Sequence, residues 1–148
     1  MNIGVGNEEG NATLYLSGAG STTKKEYIKK IKKYIKIKIN TMKNICRKYV
    51  PKNEELQFVK IDVEGGEREV LLGYDFENYR PKVFCIEATK PNTDIPCHEL
   101  WEEILLNNDY SFAYQYEINR FYIDNRIKYL RERFVQVDVS INKYTKKI

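Results

Sequence analysis

Apolar and polar positions along the chain change their period several times, and each change marks an element. "NIGV" (2–5) and "ATLYLS" (12–17) predict two short extended segments on either side of the turn-rich "GNEEGN" (6–11). "SGAGSTT" (17–23) follows as a loop. Tyr27, Ile28, Ile31, Tyr34 and Ile35 then recur at three- to four-residue spacing, which predicts a short amphipathic helix. From Ile35 the period becomes two. Ile35, Ile37 and Ile39 alternate with Lys36, Lys38 and Asn40, the pattern of a half-exposed strand with its lysines in water. "MKNICRKYV" (42–50) predicts a short helix that Pro51 ends.

In the middle of the chain, Phe58, Val59, Ile61 and Val63 predict an apolar strand covered on both faces. Glu67 opens a helix through Leu72, where an acid suits the positive end of the helix dipole, and Gly73 is a plausible C-cap. A second buried strand, "KVFCIEA" (82–88), completes a βαβ unit. "NTDIPCHELWEEILLNND" (92–109) predicts a helix capped by Asp94, with Pro96 in its first turn and a buried stripe of Leu100, Trp101, Ile104 and Leu105. "YSFAYQY" (110–116) and "RFYID" (120–124) predict an antiparallel pair. A helix over "NRIKYLRER" (125–133) and an alternating strand "FVQVDVSI" (134–141) follow.

The 148 residues suffice for one domain with a core, and 42% hydrophobic with 31% charged residues is a globular balance. No apolar run approaches the ~18 residues of a membrane span. The first residues show neither a basic n-region nor an apolar h-region, so a cytoplasmic location is expected. Cys46, Cys85 and Cys97 have no zinc-ligand or disulfide-framework spacing. The net charge of +4 is uneven: residues 24–48 hold eleven Lys and Arg against one acid, Glu26, so this basic segment carries +10 and the remainder −6. Such a patch could bind nucleic acid. Tyr27 and Tyr34 lie on the predicted apolar stripe, however, and lysine also protects exposed strand edges, so core burial and edge protection account for the segment better than a nucleic-acid partner does.

The chemistry concentrates in "FVKIDVEGGEREVLLG" (58–73). Ligands of open α/β sheets sit beyond the carboxyl ends of parallel strands. Asp62 and Glu64 leave one such end and Glu87 the next. If the strand continues through Glu64, both of its acids share one side. Gly65 and Gly66 permit positive φ and close backbone approach. Three uses are open: a general base for a hydroxyl nucleophile, a divalent-cation site for a nucleotide sugar built on Asp62 and Glu64, or carboxylates that only hydrogen-bond the next helix. The second would be a metal-dependent glycosyltransferase. His98, the lone histidine, reads as a surface residue of its helix.

Lys60, Ile61, Asp62, Val63, Glu64, Gly65 and Glu67, followed by Val70, Leu71, Gly73, Arg80, Pro81 and Glu87, resemble the core of the FkbM-type S-adenosylmethionine-dependent methyltransferases. "NIGVGNEEGNATLYLSGAGS" resembles the third strand of that family and the β-rich excursion after it. Asn119, Arg120, Phe121 and Tyr122 resemble its final hairpin. The resemblance implies a class I methyltransferase (Rossmann-like) α/β fold, a mostly parallel seven-stranded sheet with a C-terminal antiparallel hairpin. It also implies methyl transfer from S-adenosylmethionine to a hydroxyl of a sugar or secondary metabolite, with no metal. Asp62, Glu64 and Glu87 become the catalytic candidates, Asp62 as base, and Asn7 the candidate contact to adenine. The glycine-rich cofactor loop and the ribose-binding acid of the family would precede residue 1, and "TMKN" (41–44) replaces a common threonine-leucine-aspartate-aspartate. The chain thus reads as a single domain, 1–148, truncated to its C-terminal two-thirds and carrying 24–48 as a basic insertion. It is expected not to bind the cofactor alone, and to be unstable or prone to aggregate unless a partner chain supplies the missing strands.

Overall fold

The computed structural model describes residues 3–18, 20–28 and 33–134. Within them the strands are β1 (Gly4–Gly6), β2 (Gly10–Leu16), β3 (Lys33–Thr41), β4 (Phe58–Ile61), β5 (Val83–Glu87), β6 (Tyr110–Tyr116) and β7 (Asn119–Asp124). The helices are α1 (Met42–Tyr49), α2 (Glu67–Leu72) and α3 (Glu102–Leu106). Residues 128–134 are also helical, in line with the periodicity of 125–133, whereas the strand expected over 134–141 lies outside the described residues except for Phe134.

The strands form two sheets, ordered β1-β3-β2 and β4-β5-β7-β6. The sequence suggested one mostly parallel sheet. Only β1–β3 and β4–β5 pair in parallel, while β2–β3, β5–β7 and β6–β7 are antiparallel. The division has a local cause. The lysine-rich stretch places β3 between β1 and β2, pairing seven successive residues of β2 in register from Gly10↔Ile39 to Leu16↔Lys33. β3 is thus paired on both sides within its own sheet, with β1 and β2 as its edges.

The helix expected over Tyr27–Ile35 is not what the described residues form. Lys25–Tyr27 make a single 3-10 turn, and Tyr34 and Ile35 belong to β3. Tyr34 is 60% exposed, so it is no core residue. The alternation of Ile35 to Ile39 overrides the weaker helical spacing before it, because β-branched residues at every second position suit a pleated surface. The expected alternation appears from Lys36 to Ile39, with Ile37 and Ile39 part-buried and Lys36 and Lys38 exposed, but Ile35 is exposed and Asn40 part-buried.

β5 carries the core. Phe84, Cys85 and Ile86 are all buried, the state its continuous apolar run predicts for a strand covered on both faces. Rings of Tyr74, Phe76, Phe84 and Tyr110 meet edge-on or tilted at 4.9–6.1 Å between centroids, and Trp101 meets Tyr122 at 5.7 Å. Each such buried side chain contributes roughly 1.5–3 kcal/mol of hydrophobic stabilisation. β4 differs from its expectation. It stops at Ile61, leaves Phe58 53% exposed, and among the described residues has a paired strand on one side only.

The helix expected over 92–109 is shorter. Asp94 is exposed in a turn and caps nothing; a 3-10 turn at His98–Leu100 precedes α3. The bridge Thr89↔Pro96 and the hydrogen bond from Cys97 N–H to the Ala88 carbonyl (2.8 Å) hold 88–97 as a loop folded back on the end of β5. Trp101 and Leu105 are buried as their spacing predicts, but Leu100, held in the 3-10 turn, is 54% exposed. No helix among the described residues is long and apolar enough to cross a membrane.

Candidate active site

The turn after β4 builds the site. Ile61 is the last strand residue, Glu64 takes a left-handed backbone (φ 55°), Gly65 follows at φ +93°, and α2 begins at Glu67. Only Gly65 of the two glycines uses positive φ, and it has a second reason to be glycine: a Cβ there would lie 2.4 Å from Cε2 of Tyr27. The strand therefore does not run on through Glu64, as same-side alternation would require. The turn achieves the convergence instead. One carboxylate oxygen each from Asp62, Glu64 and Glu87 lie within 4.8 Å of one another.

Three side chains fix this turn and the helix after it. The carboxylate of Glu67 accepts hydrogen bonds from Val63 N–H (3.1 Å) and Gly65 N–H (3.2 Å). The hydroxyl of buried Thr22 donates to the Glu64 carbonyl at 2.7 Å. Lys24 pairs with Glu69 of α2 at 2.6 Å. Glu67, and not Asp62 or Glu64, is thus the carboxylate that takes up the backbone N–H groups ahead of the helix. The sequence reading placed Glu67 beside the helix dipole and missed this role; an acid at the first helical position after a double glycine was the signal for it.

The three acids differ in environment. Asp62 is exposed, and Lys60 Nζ donates to its Oδ2 (3.0 Å) and to Asn119 Oδ1 of β7 (2.7 Å). Glu64 is half-buried, and burial followed by the charges of Asp62 and Glu67 raises its carboxyl above the ordinary range. Glu87 is only 7% exposed. Burial first, then the neighbouring Asp62 charge, pushes Glu87 up to about 7. Two carboxylates own no donor between them, so Glu87 and Asp62 can hydrogen-bond only by sharing a proton; Glu87 Oε2 is buried with no hydrogen-bond partner.

The remaining sequence candidates fall elsewhere. Asn7 is exposed in the bend after β1, whose carbonyl end abuts Gly73 at the end of α2. His98 lies 3.8 Å from Glu99 and 3.9 Å from Glu102, on the 3-10 turn. Of the hairpin aromatics, Tyr122 is buried and Tyr116 exposed, while Tyr114 packs on Phe121 at 6.3 Å.

A cavity of about 420 Å³ adjoins the turn, lined by Val63 and Gly66 together with β1, β3, Leu14 and the 21–23 loop. S-adenosylmethionine carries a ribose diol and a zwitterionic tail. The cavity wall offers Ile35, Ile37, Ile39 and three hydroxyl residues, Ser21, Thr22 and Thr23, but no carboxylate for the diol or the ammonium.

The chain matches the model of the methyltransferase FkbM domain over residues 1–114, which includes the whole acidic turn and β5. It belongs to the FkbM methyltransferase family. No curated protein and no solved structure matches the chain. The family match ends within β6, so Asn119 and the rest of β7 lie beyond it.

Proposed function

We propose that this chain supplies the acceptor side of a methyltransferase acting on a hydroxyl of a sugar or secondary metabolite, with S-adenosylmethionine as the methyl donor. The observation that carries the reading is the meeting of Asp62, Glu64 and Glu87 at the carboxyl ends of the parallel strands β4 and β5. The order β4-β5-β7-β6, with β7 antiparallel between β5 and β6, supports a class I methyltransferase arrangement for the second sheet.

An acceptor hydroxyl must lose a proton as it becomes an ether oxygen, and a carboxylate within hydrogen-bond reach can take it. Asp62 fills this role: it is open to solvent, and Lys60, itself anchored on Asn119, holds it in place. Glu64 and Glu87 hydrogen-bond other hydroxyls of the acceptor and orient it. The cofactor half of the site comes from polypeptide that pairs along the open side of β4. This rests on the one-sided pairing of β4 among the described residues and on the carboxylate-free cavity.

Two measurements test the reading. Calorimetry of residues 1–148 with S-adenosylmethionine is expected to show no binding, and clear micromolar binding would refute the division of the site. The protein isolated from its own cells, with any chain that accompanies it, is expected to move labelled methyl onto glycan or polyketide alcohols. Asp62→Asn should lower that rate by roughly 10²–10⁴-fold; an unchanged rate removes Asp62 from the mechanism.

A further inference from the structure

We propose that Asp62, Glu64 and Glu87 form a binding site for one hard divalent cation of the magnesium or manganese kind. Hard cations take oxygen ligands at about 2.0–2.6 Å, which spaces ligands in one coordination sphere about 3–5 Å apart. The three carboxylate oxygens, all within 4.8 Å of one another, satisfy that condition.

A second observation points to a ligand. Glu87 is more than nine-tenths buried, contributes one of these oxygens, and has an Oε2 with no hydrogen-bond partner. A charged carboxylate withdrawn from water is costly, and such a group takes up a proton, is paired or coordinates a metal. Lys60, the cation hydrogen-bonded to the cluster, is engaged with Asp62 and Asn119. Two of the three acids are left without a positive partner among the described contacts.

The donor set selects the ion class. Three carboxylates with no imidazole or thiolate favour magnesium, manganese or calcium over zinc or copper. With one oxygen from each residue, about three positions of an octahedral ion remain for water or for acceptor oxygens, so with the ion bound the acceptor meets Asp62, Glu64 and Glu87 through the ion and not by direct hydrogen bonds. The frame is fixed in advance: Glu67 and Thr22 hold the Glu64 backbone, and the Ala88 N–H donates to the Ile118 carbonyl (2.7 Å) directly after Glu87.

Manganese serves as the probe. Chelator-treated protein is titrated with Mn²⁺ while the electron paramagnetic resonance signal of the free ion is followed. The expected result is one ion per chain, with a dissociation constant at or below about 1 mM, displaced by Mg²⁺. Glu87→Gln and Glu64→Gln should each weaken binding by at least about tenfold. Glu103→Gln, an exposed acid on α3, should not. If circular dichroism shows that Glu87→Gln does not fold, Glu64→Gln decides, because Thr22 holds the Glu64 carbonyl and not its side chain. Absence of stoichiometric binding, or unchanged affinity in the folded variants, overturns the proposal. None of these readouts involves methyl transfer, so the result stands apart from the fate of the proposed reaction.

Discussion

The carboxylate of Glu67 reaches back across the turn to the backbone N–H of Val63 at 3.1 Å, and the same oxygen takes the N–H of Gly65. Glu67 is almost wholly buried, so this contact lies out of reach of replacement by bulk water. Glu67→Ala removes an acceptor from two N–H groups at once and should cost about 2–4 kcal/mol in urea unfolding. Glu67→Gln keeps one carbonyl oxygen and sheds the burial penalty that raises the carboxyl, so its cost should stay near or below about 1 kcal/mol. Equal losses in the two variants would show that the carboxylate does not hold the turn.

That turn also marks the limit of what the sequence makes legible. The continuous apolar run of β5, the βαβ order and the acidic strand ends are visible as patterns, because each depends on period and residue type alone. The meeting of Asp62, Glu64 and Glu87 could be anticipated as strand-end chemistry, but its means could not. Alternation along a strand was the available rule, whereas a left-handed Glu64 and a reaching Glu67 produce the actual geometry. Tyr34 shows the other kind of failure. It lay on a plausible helical stripe, and long-range pairing of β2 with β3 overrode it, Tyr15 opposite Tyr34.

Gly73 joins the two halves of the chain more closely than any side chain would allow. A Cβ at this position would stand 2.2 Å from the Gly6 carbonyl oxygen and 3.1 Å from Asn7 Cα, both backbone atoms. Lys43 N–H also donates to the Gly73 carbonyl at 3.0 Å, so α1, α2 and β1 meet there. Gly73→Ala is expected to destabilise by about 1–3 kcal/mol through overpacking, although its φ of −86° is open to alanine. Chemical denaturation checks this; a neutral effect would mean that β1 can move away from α2 freely.

Arg80 donates through Nε and Nη2 to Asp124 at 3.1 Å, and the Arg126 guanidinium reaches the same carboxylate at 2.7 Å. Despite its burial, hydrogen bonds from Arg126 and Arg80 hold the Asp124 carboxyl well below the usual carboxylate range. The unfolded chain therefore takes up this proton at higher pH than the folded one. Stability from this residue is present above about pH 4 and is lost as acid is added below it. Denaturant titrations between pH 2 and 6 should show that loss in the native sequence and a flatter profile in Asp124→Asn. At neutral pH Asp124→Asn should be less stable by about 2–4 kcal/mol, since part-buried Arg80 then lacks its counter-charge.

Glu87 has the opposite linkage. Its carboxyl rises from an ordinary 4.5 to about 7 in the folded chain, first through burial and then through Asp62. Between those two values the folded state holds a proton that the unfolded state has released. Stability from this group is therefore full below about pH 4.5, declines through pH 7, and is level above it. Glu87→Gln mimics the protonated form. In chelator-treated protein it should match the native sequence near pH 4 and exceed it at pH 8, by at most on the order of 3 kcal/mol. Addition of Mn²⁺ at pH 8 should raise the melting temperature of the native sequence and leave Glu87→Gln nearly unmoved, because a bound cation replaces the proton as the neutralising charge. Parallel stability curves for the two proteins from pH 4 to 8 would mean that Glu87 is not the strained acid of the cluster.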